Sequence, residues 1–168
     1  MTLMMCIAVL RARNIVFVDE SGLNREYRRL LARAKRGVKV YDKKPGKRSK
    51  KMNIIAGLLY GATGKKHVAV HSYEHTTKSE FFEEWFEWQL LGEIPENTVI
   101  IMDNASFHRK EKLMEIAARY GSIVIFLPPY SPELNPIEKS WANFKRWLRY
   151  NLSCFPSIDF AINSYFSL

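Results

Sequence analysis

The chain has 168 residues, of which 47% are hydrophobic, 26% charged and 13% aromatic. That is one ordinary domain with enough apolar surface for a packed core, which excludes a disordered tail and makes two compact domains unexpected. Twenty-six Lys and Arg against 17 Asp and Glu give a formal +9; residues 25–51 alone hold 13 basic residues against Glu26 and Asp42, a local +11, leaving −2 elsewhere.

The opening apolar run LMMCIAVL is too short to span a bilayer. It has neither a basic leader nor a small-residue cleavage site, so no signal peptide is expected. Two cysteines, Cys6 and Cys154, exclude a disulfide framework and fit a reducing cytoplasmic location. The first strand is expected over NIVFVDESG, a β-branched and aromatic run ending at Asp19 and a Ser-Gly turn.

In the basic segment, GVKVYDK is a candidate strand and KKPGKRSKK a Pro-Gly loop. A basic concentration of this size reads either as a footprint for a polyanion or as a solvated surface. On the first reading Arg36, Lys39, Lys43, Lys44, Lys47, Arg48, Lys50 and Lys51 are its contacts to the polyanion. MNIIAGLLY and KHVAVHSYE, separated by GATGK, have the spacing of an antiparallel hairpin. His67, His71 and His75 recur every fourth residue and are expected to share one face. They read as exposed polar positions of the hairpin, because a zinc site needs a fourth ligand or an open water position and no cysteine is near in sequence.

At TTKSEFFEEWFEWQLLGEI the apolar period changes from two to about four. Thr77 and Glu80 have the spacing of a capping box. Phe81, Phe82, Trp85, Phe86 and Trp88 read as core contacts of a helix packed on the sheet rather than as a base-stacking platform. NTVIIMDNAS is a continuous apolar strand ending in Asp103, as expected for one covered on both faces. A helix between Arg109 and Tyr120 puts Leu113, Ile116, Ala117 and Tyr120 on one side, with Gly121 as its stop.

SIVIFLP is the fifth strand, and PPYSPELNP after it holds four of the seven prolines, which stiffens its path. The last helix is expected to open with Asn135 as N-cap and Pro136 at its first position, with Ile137, Trp141, Phe144 and Leu148 as its apolar face. The order βββαβαβα predicts a single α/β domain over residues 1–168 with a mixed five-stranded sheet flanked by helices.

Asp19 and Asp103 each end a buried-type strand, and Glu138 stands in the first turn of a helix. Open α/β sheets place their sites at the carboxyl ends of strands. Three converging carboxylates repel one another unless a cation lies between them, and hard divalent ions such as Mg²⁺ take oxygen ligands. A pair of such ions serves phosphoryl transfer, so the acids and the basic segment point to the same substrate, a nucleic-acid backbone. Each acid also has an ordinary reading. Asp19 and Glu20 suit a turn, Asp103-Asn104 an Asx turn, and Glu138 the N3 partner of an Asn135 cap.

FVDESG, VIIMDNASFH and FLPPYSPELNPIEKSWANFKRWLR resemble the three catalytic blocks of DDE transposases of the mariner superfamily, in particular its bacterial insertion-sequence, or IS-six-thirty, branch. The resemblance runs from about Ile15 to Leu152, and the 34 residues between Asp103 and Glu138 match the interval of the DD34E group. It implies a ribonuclease-H-like fold in which Asp19, Asp103 and Glu138 hold two Mg²⁺ or Mn²⁺ ions. It also implies hydrolysis at a transposon end and attack of the exposed 3′ hydroxyl on target DNA.

Asn104 and His108 match the family's DNxxxH pattern and are expected to position the site or the DNA; a purely structural His108 is the equal alternative. Glu20 follows Asp19 directly and on a strand points to the opposite face, so it is not expected to be a ligand. The resemblance further implies self-association on DNA. Only about fourteen residues precede the first strand, so the helix-turn-helix module usual in the family is expected to be absent or supplied as a separately encoded subunit. The competing readings are another ribonuclease-H-like nuclease and a catalytically silent, DNA-binding transposase remnant.

Overall fold

A computed structural model describes residues 14–23, 34–39, 52–62, 64–129 and 131–167. Five strands form one sheet: β1 (Ile15–Leu23), β2 (Met52–Gly61), β3 (Gly64–Tyr73), β4 (Val99–Met102) and β5 (Ile123–Phe126), in the order β3-β2-β1-β4-β5. The β1–β2 and β2–β3 pairs are antiparallel, while β1–β4 and β4–β5 are parallel. The mixed sheet of the sequence reading is therefore present.

β1 does not stop at Asp19. It continues to Leu23 because the antiparallel partner β2 keeps pairing with it, from Asp19 opposite Ala56 to Leu23 opposite Met52. The expected Ser-Gly turn is strand, and only the parallel pairing with β4 ends at Val18.

Side chains alternate between the two faces of β1 and β4. Val16, Val18, Ile100 and Met102 enter one core with Phe82, Trp85, Phe86, Leu113 and Ile116. Phe17, Val99 and Ile101 enter the other with Ile137, Trp141, Phe144 and Leu148. The first layer is α1 and α2 (Lys110–Arg119). α1 begins as α-helix over Ser79–Trp85, widens to a π-helical stretch over Phe86–Leu90 and closes over Leu91–Glu93. The second layer is α3 (Ile137–Asn151) and α4 (Ile158–Phe166). α4 adds a helix to the expected βββαβαβα order; its Ile158, Ala161 and Ile162 complete the second core.

Gly57 on β2 is where α1 comes closest to the sheet. A Cβ there would lie 2.7 Å from Val16 Cγ2 and 2.9 Å from both Leu90 Cδ1 and Val68 Cγ2. Opposite it, β3 carries one extra residue between Val68 and His71, and Ala69 takes a φ of 52°, a left-handed conformation that costs an L-residue about 1–2 kcal/mol. Two side chains of α1 hold it there: Glu93 accepts from Ala69 N at 2.8 Å, and Trp85 Nε1 donates to Ala69 O at 2.9 Å.

This bulge corrects the histidine reading. An extra residue reverses the alternation, so His67 turns to the second layer, with Nε2 2.5 Å from Ser140 Oγ and its ring on Phe166. His71 packs on Phe81 of α1. The two share no face, and both are partly buried.

The expected start of α1 and one of its expected core contacts also differ. Lys78 is the N-cap of α1 without a side-chain bond, while the Thr77 hydroxyl pairs with Tyr73 OH at 2.7 Å, so no capping box forms. Trp88 is 73% exposed, because the core-facing stripe of α1 is carried by Phe82, Trp85, Phe86 and Leu90. In the expected strand GVKVYDK, residues 37–39 are not strand, and Val40 to Lys43 lie outside the described residues.

Candidate active site

In the parallel register Val18 stands opposite Met102. Asp19 and Asp103 are the next residues on each strand path, side by side where the parallel pairing of β1 with β4 ends. Phe17 and Ile101, two positions earlier, both face the second layer, and alternation carries the two acids to that same face. There Trp141 of α3, whose ring is buried, donates Nε1–H to Asp19 Oδ2 at 3.0 Å.

Glu138 reaches the same place by a different route. Leu127 N still bonds to Met102 O at 2.8 Å, after which the proline-rich loop crosses above the sheet and turns through a 3₁₀ segment at Pro132–Leu134. Asn135 is buried and donates Nδ2–H to Val18 O at 3.2 Å, while its own carbonyl accepts from Glu138 N at 3.2 Å. The Asn135 side chain therefore does not cap α3. Pro136 occupies the N-cap position, and the amide of Asn135 is spent tying the loop to Val18 in the middle of β1. Asp19, Asp103, Asn104, Asn135 and Glu138, with Leu127 and three prolines of the loop, line one cavity of about 370 Å³.

The charges in this cavity oppose one another. Burial, then Glu138, then Asp103 push the Asp19 carboxyl up to about 7, against the hydrogen bonds from the Glu20 amide and Trp141. Asp103 is held below its ordinary value chiefly by its hydrogen bond with His108. His108 donates Nε2–H to Asp103 Oδ1 at 3.2 Å, and Ala105 N donates to the same oxygen at 3.3 Å. The Asx turn read from the sequence is thus formed around the same carboxylate that faces the cavity. The His108 ring is buried against Phe82 and Phe107, with centroids 4.2 Å and 4.3 Å away, and its Nδ1 has no partner. His108 therefore both packs and orients Asp103.

By strand alternation Glu20 points to the opposite face from Asp19, as expected. Burial, then Asp19 and Asp103, raise it to about 8, and its buried Oε1 has no partner.

Three carboxylates around a cleft are the oxygen donors that a hard divalent cation prefers, and the mutual repulsion that raises Asp19 is what such an ion relieves. By that chemistry the donors fit Mg²⁺ or Mn²⁺. Among the described residues no three His, Cys, Asp or Glu side chains are gathered closely enough to hold an ion as they stand. Glu138 is exposed at the cavity mouth.

Of the expected DNA contacts, Arg36 and Lys39 lie exposed in the turn at residues 34–39. Lys43, Lys44, Lys47, Arg48, Lys50 and Lys51 lie outside the described residues. Sequence reasoning placed Trp141 only in the core and Asn135 only at a cap. A buried indole N–H needs an acceptor, and that was the available signal for the Trp141–Asp19 contact.

A family model described as DDE superfamily endonuclease matches residues 14–159. Among solved structures, a Mos1 transposase paired-end complex with left transposon end is 13% identical, with a TM-score of 0.70 over 98% of this chain and 52% of that one. A Mos1 mariner paired end complex with Mn is 14% identical, with a TM-score of 0.71 and the same coverage of 98% and 52%. A simian T-cell lymphotropic virus intasome in complex with PP2A regulatory subunit B56 gamma is 10% identical, with a TM-score of 0.55 over 89% of this chain and 45% of that one. This chain spans about half the length of those chains, and the likeness places its fold with the ribonuclease-H-like sheet of the Mos1 catalytic domain. No curated protein sequence matches it. Among the described residues no helix is long and apolar enough to cross a membrane.

Proposed function

The chain belongs to the DDE superfamily endonucleases, and from that premise we propose that it is the catalytic domain of a DNA transposase that cleaves and joins strands using a pair of divalent metal ions. The observation that carries the proposal is the register that sets Asp19 beside Asp103, with Glu138 in the same cavity. The finer placement, in the IS-six-thirty branch of the mariner superfamily, rests on the PPYSPELNPIEKSW run and the 34-residue interval before Glu138.

In this reading Asp19 and Asp103 bind metal from the sheet and Glu138 from α3. When bound, two Mg²⁺ or Mn²⁺ ions supply activation of the attacking oxygen and stabilisation of the leaving one at the scissile phosphate. Trp141 orients Asp19, His108 orients Asp103, and Asn135 fixes the height of the first turn of α3 over Val18 of β1. Asn104, exposed at the cavity edge, is placed to meet the DNA strand. Leu127 and the loop prolines add apolar lining to the cavity beside the acids. Cleavage leaves a 3′ hydroxyl that attacks target DNA. The partners in this reading are transposon ends, target DNA and a second copy of the chain on DNA.

The test supplies transposon-end DNA and Mn²⁺ to the parent and to Asp19→Ala, Asp103→Ala and Glu138→Ala. Cleavage and joining by the parent, lost in all three variants, is the expected result; equal activity in all four overturns the proposal. Cleavage without joining assigns the chain to another ribonuclease-H-like nuclease. The alternative of a silent remnant predicts salt-dependent DNA binding with no metal-dependent cleavage.

A further inference from the structure

His71 and His75 pack on Phe81 of α1, in the first layer, whereas the bulge at Ala69 turns His67 to the second. There its ring lies edge-on against Phe166, with centroids 4.8 Å apart, and its Nε2 shares a hydrogen bond of 2.5 Å with Ser140 Oγ of α3. Burial holds the imidazole below its ordinary pKa, so the ring is neutral and the bond joins two uncharged groups. The partner of His67 on β2 is Leu58, and the partner of Leu58 on β1 is Phe17. Leu58 and Phe17 belong to the second core. The three side chains therefore form a row across the face that α3 covers, and the row meets β1 two residues before Asp19.

Ser140 stands two residues after Glu138 on α3. Successive residues of an α-helix are about 100° apart, so against the buried stripe Ile137, Trp141, Phe144 and Leu148 these two residues lie on opposite flanks. Apolar burial is non-directional, and a helix resting on a sheet by one stripe can roll about that line with little change in the area it covers. When one flank rises, the other sinks. Hydrogen bonds have a preferred length and angle and so fix the roll. Trp141 and Asn135 tie α3 and the loop before it to β1, and His67 ties the flank away from Glu138 to β3.

We propose that His67 is a positioning residue for Glu138: through Ser140 it sets the roll of α3 on the sheet, and with it the height at which the Glu138 carboxylate enters the cavity. The inference rests on the proposed metal chemistry and adds to it a residue outside the cavity lining. Groups that orient metal ligands from behind are worth about 10–100-fold in metal affinity. A role in packing alone would need the ring against Phe166 and not the bond to Ser140.

The experiment measures Mn²⁺ affinity by titration calorimetry on the full chain without DNA, at a temperature where urea unfolding shows each variant to be folded. His67→Phe keeps a ring beside Phe166 and removes the hydrogen bond. His67→Gln puts an amide nitrogen near the place of Nε2. Ser140→Ala removes the other partner and leaves the histidine packed, so it carries the test even where His67→Phe does not fold. His67→Phe and Ser140→Ala are each expected to weaken Mn²⁺ binding about tenfold, the lower end of the range for such groups. The double variant is expected to be no weaker than either single one, since both remove the same bond. His67→Gln is expected to recover most of the affinity. In the metal-free chain, amide exchange in the first turn of α3 is expected to quicken in His67→Phe and Ser140→Ala and to return toward the parent in His67→Gln.

If the parent binds Mn²⁺ and both single variants bind it equally well when folded, the positioning role is overturned, a loss of stability alone shows packing, and the metal reading stands. Weaker binding in His67→Phe with parent-like binding in Ser140→Ala also overturns it, because the effect does not pass through α3. If the parent binds no Mn²⁺, the metal reading and the role of His67 fall together.

Discussion

The indole N–H of Trp141 and the carboxylate of Asp19 meet at 3.0 Å across the layer boundary between α3 and β1. One ring therefore fills the second core and fixes an acid at its edge. Trp141→Phe keeps most of the packing and removes the donor, leaving Asp19 with burial and two like charges. The expected cost is about 1–3 kcal/mol of stability, read from urea unfolding. Mn²⁺ affinity by calorimetry is expected to fall by roughly tenfold, a change of about 1.4 kcal/mol. Unchanged Mn²⁺ affinity would show that Trp141 does not orient the acid.

Stability of the metal-free protein is expected to fall as pH rises from 5 to 8. Asp19 and Glu20 are raised from 3.8 to about 7 and from 4.5 to about 8. In that window the folded chain holds protons that the unfolded chain has released, and the unfolded state gains as pH rises. The contribution is complete below the unfolded values and gone above about 8. Asp103, shifted down, acts in the opposite sense only below its ordinary value and leaves this window untouched. Melting temperature against pH, with and without 10 mM Mg²⁺, is the measurement. A steady decline without metal and a flatter curve with it is expected; a rise across the window would refute the electrostatic account.

Asn135→Ala removes the bond to Val18 O and frees the start of α3 from β1. Stability is expected to drop by about 1–3 kcal/mol, and metal-dependent cleavage by more than tenfold at a temperature where the variant is fully folded. Asn135→Asp keeps the size but cannot donate, and it adds a fourth acid to the cavity. It is expected to lower cleavage further, with partial recovery at low pH, where a protonated carboxyl can donate. Equal cleavage in the parent and both variants would remove Asn135 from the positioning of Glu138.

Gly57→Ala forces a methyl group within 3 Å of Val16, Leu90 and Val68. Overpacking of this kind costs about 1–3 kcal/mol. The denaturation midpoint is expected to shift by that amount, while cleavage by the folded protein is retained, since the clash lies in the first layer and the acids face the second. Loss of cleavage at full folding would show that the two layers are mechanically coupled.

Much of this was legible in the sequence because period and punctuation are local. The five apolar runs and the stripe Ile137, Trp141, Phe144, Leu148 announce their elements, and Asp19 and Asp103 fall where runs stop. What could not be read depends on partners far away in the chain. β1 runs past Asp19 because β2 pairs with it. Asn135 leaves its expected cap because Val18, 117 positions earlier, offers an acceptor. Trp88 is exposed although its spacing resembles that of its buried neighbours, since only the docked face of α1 decides which aromatics are covered.

The bulge at Ala69 lies on β3, the outer strand of the sheet. An outer strand ordinarily offers a row of free amides and carbonyls to any extended segment that drifts alongside, including the same strand of another molecule. At Ala69 both groups are already committed, the amide to Glu93 and the carbonyl to Trp85, and the extra residue bends the strand away from a flat path. The antiparallel margin of the sheet is therefore blunted at Ala69 against edgewise pairing.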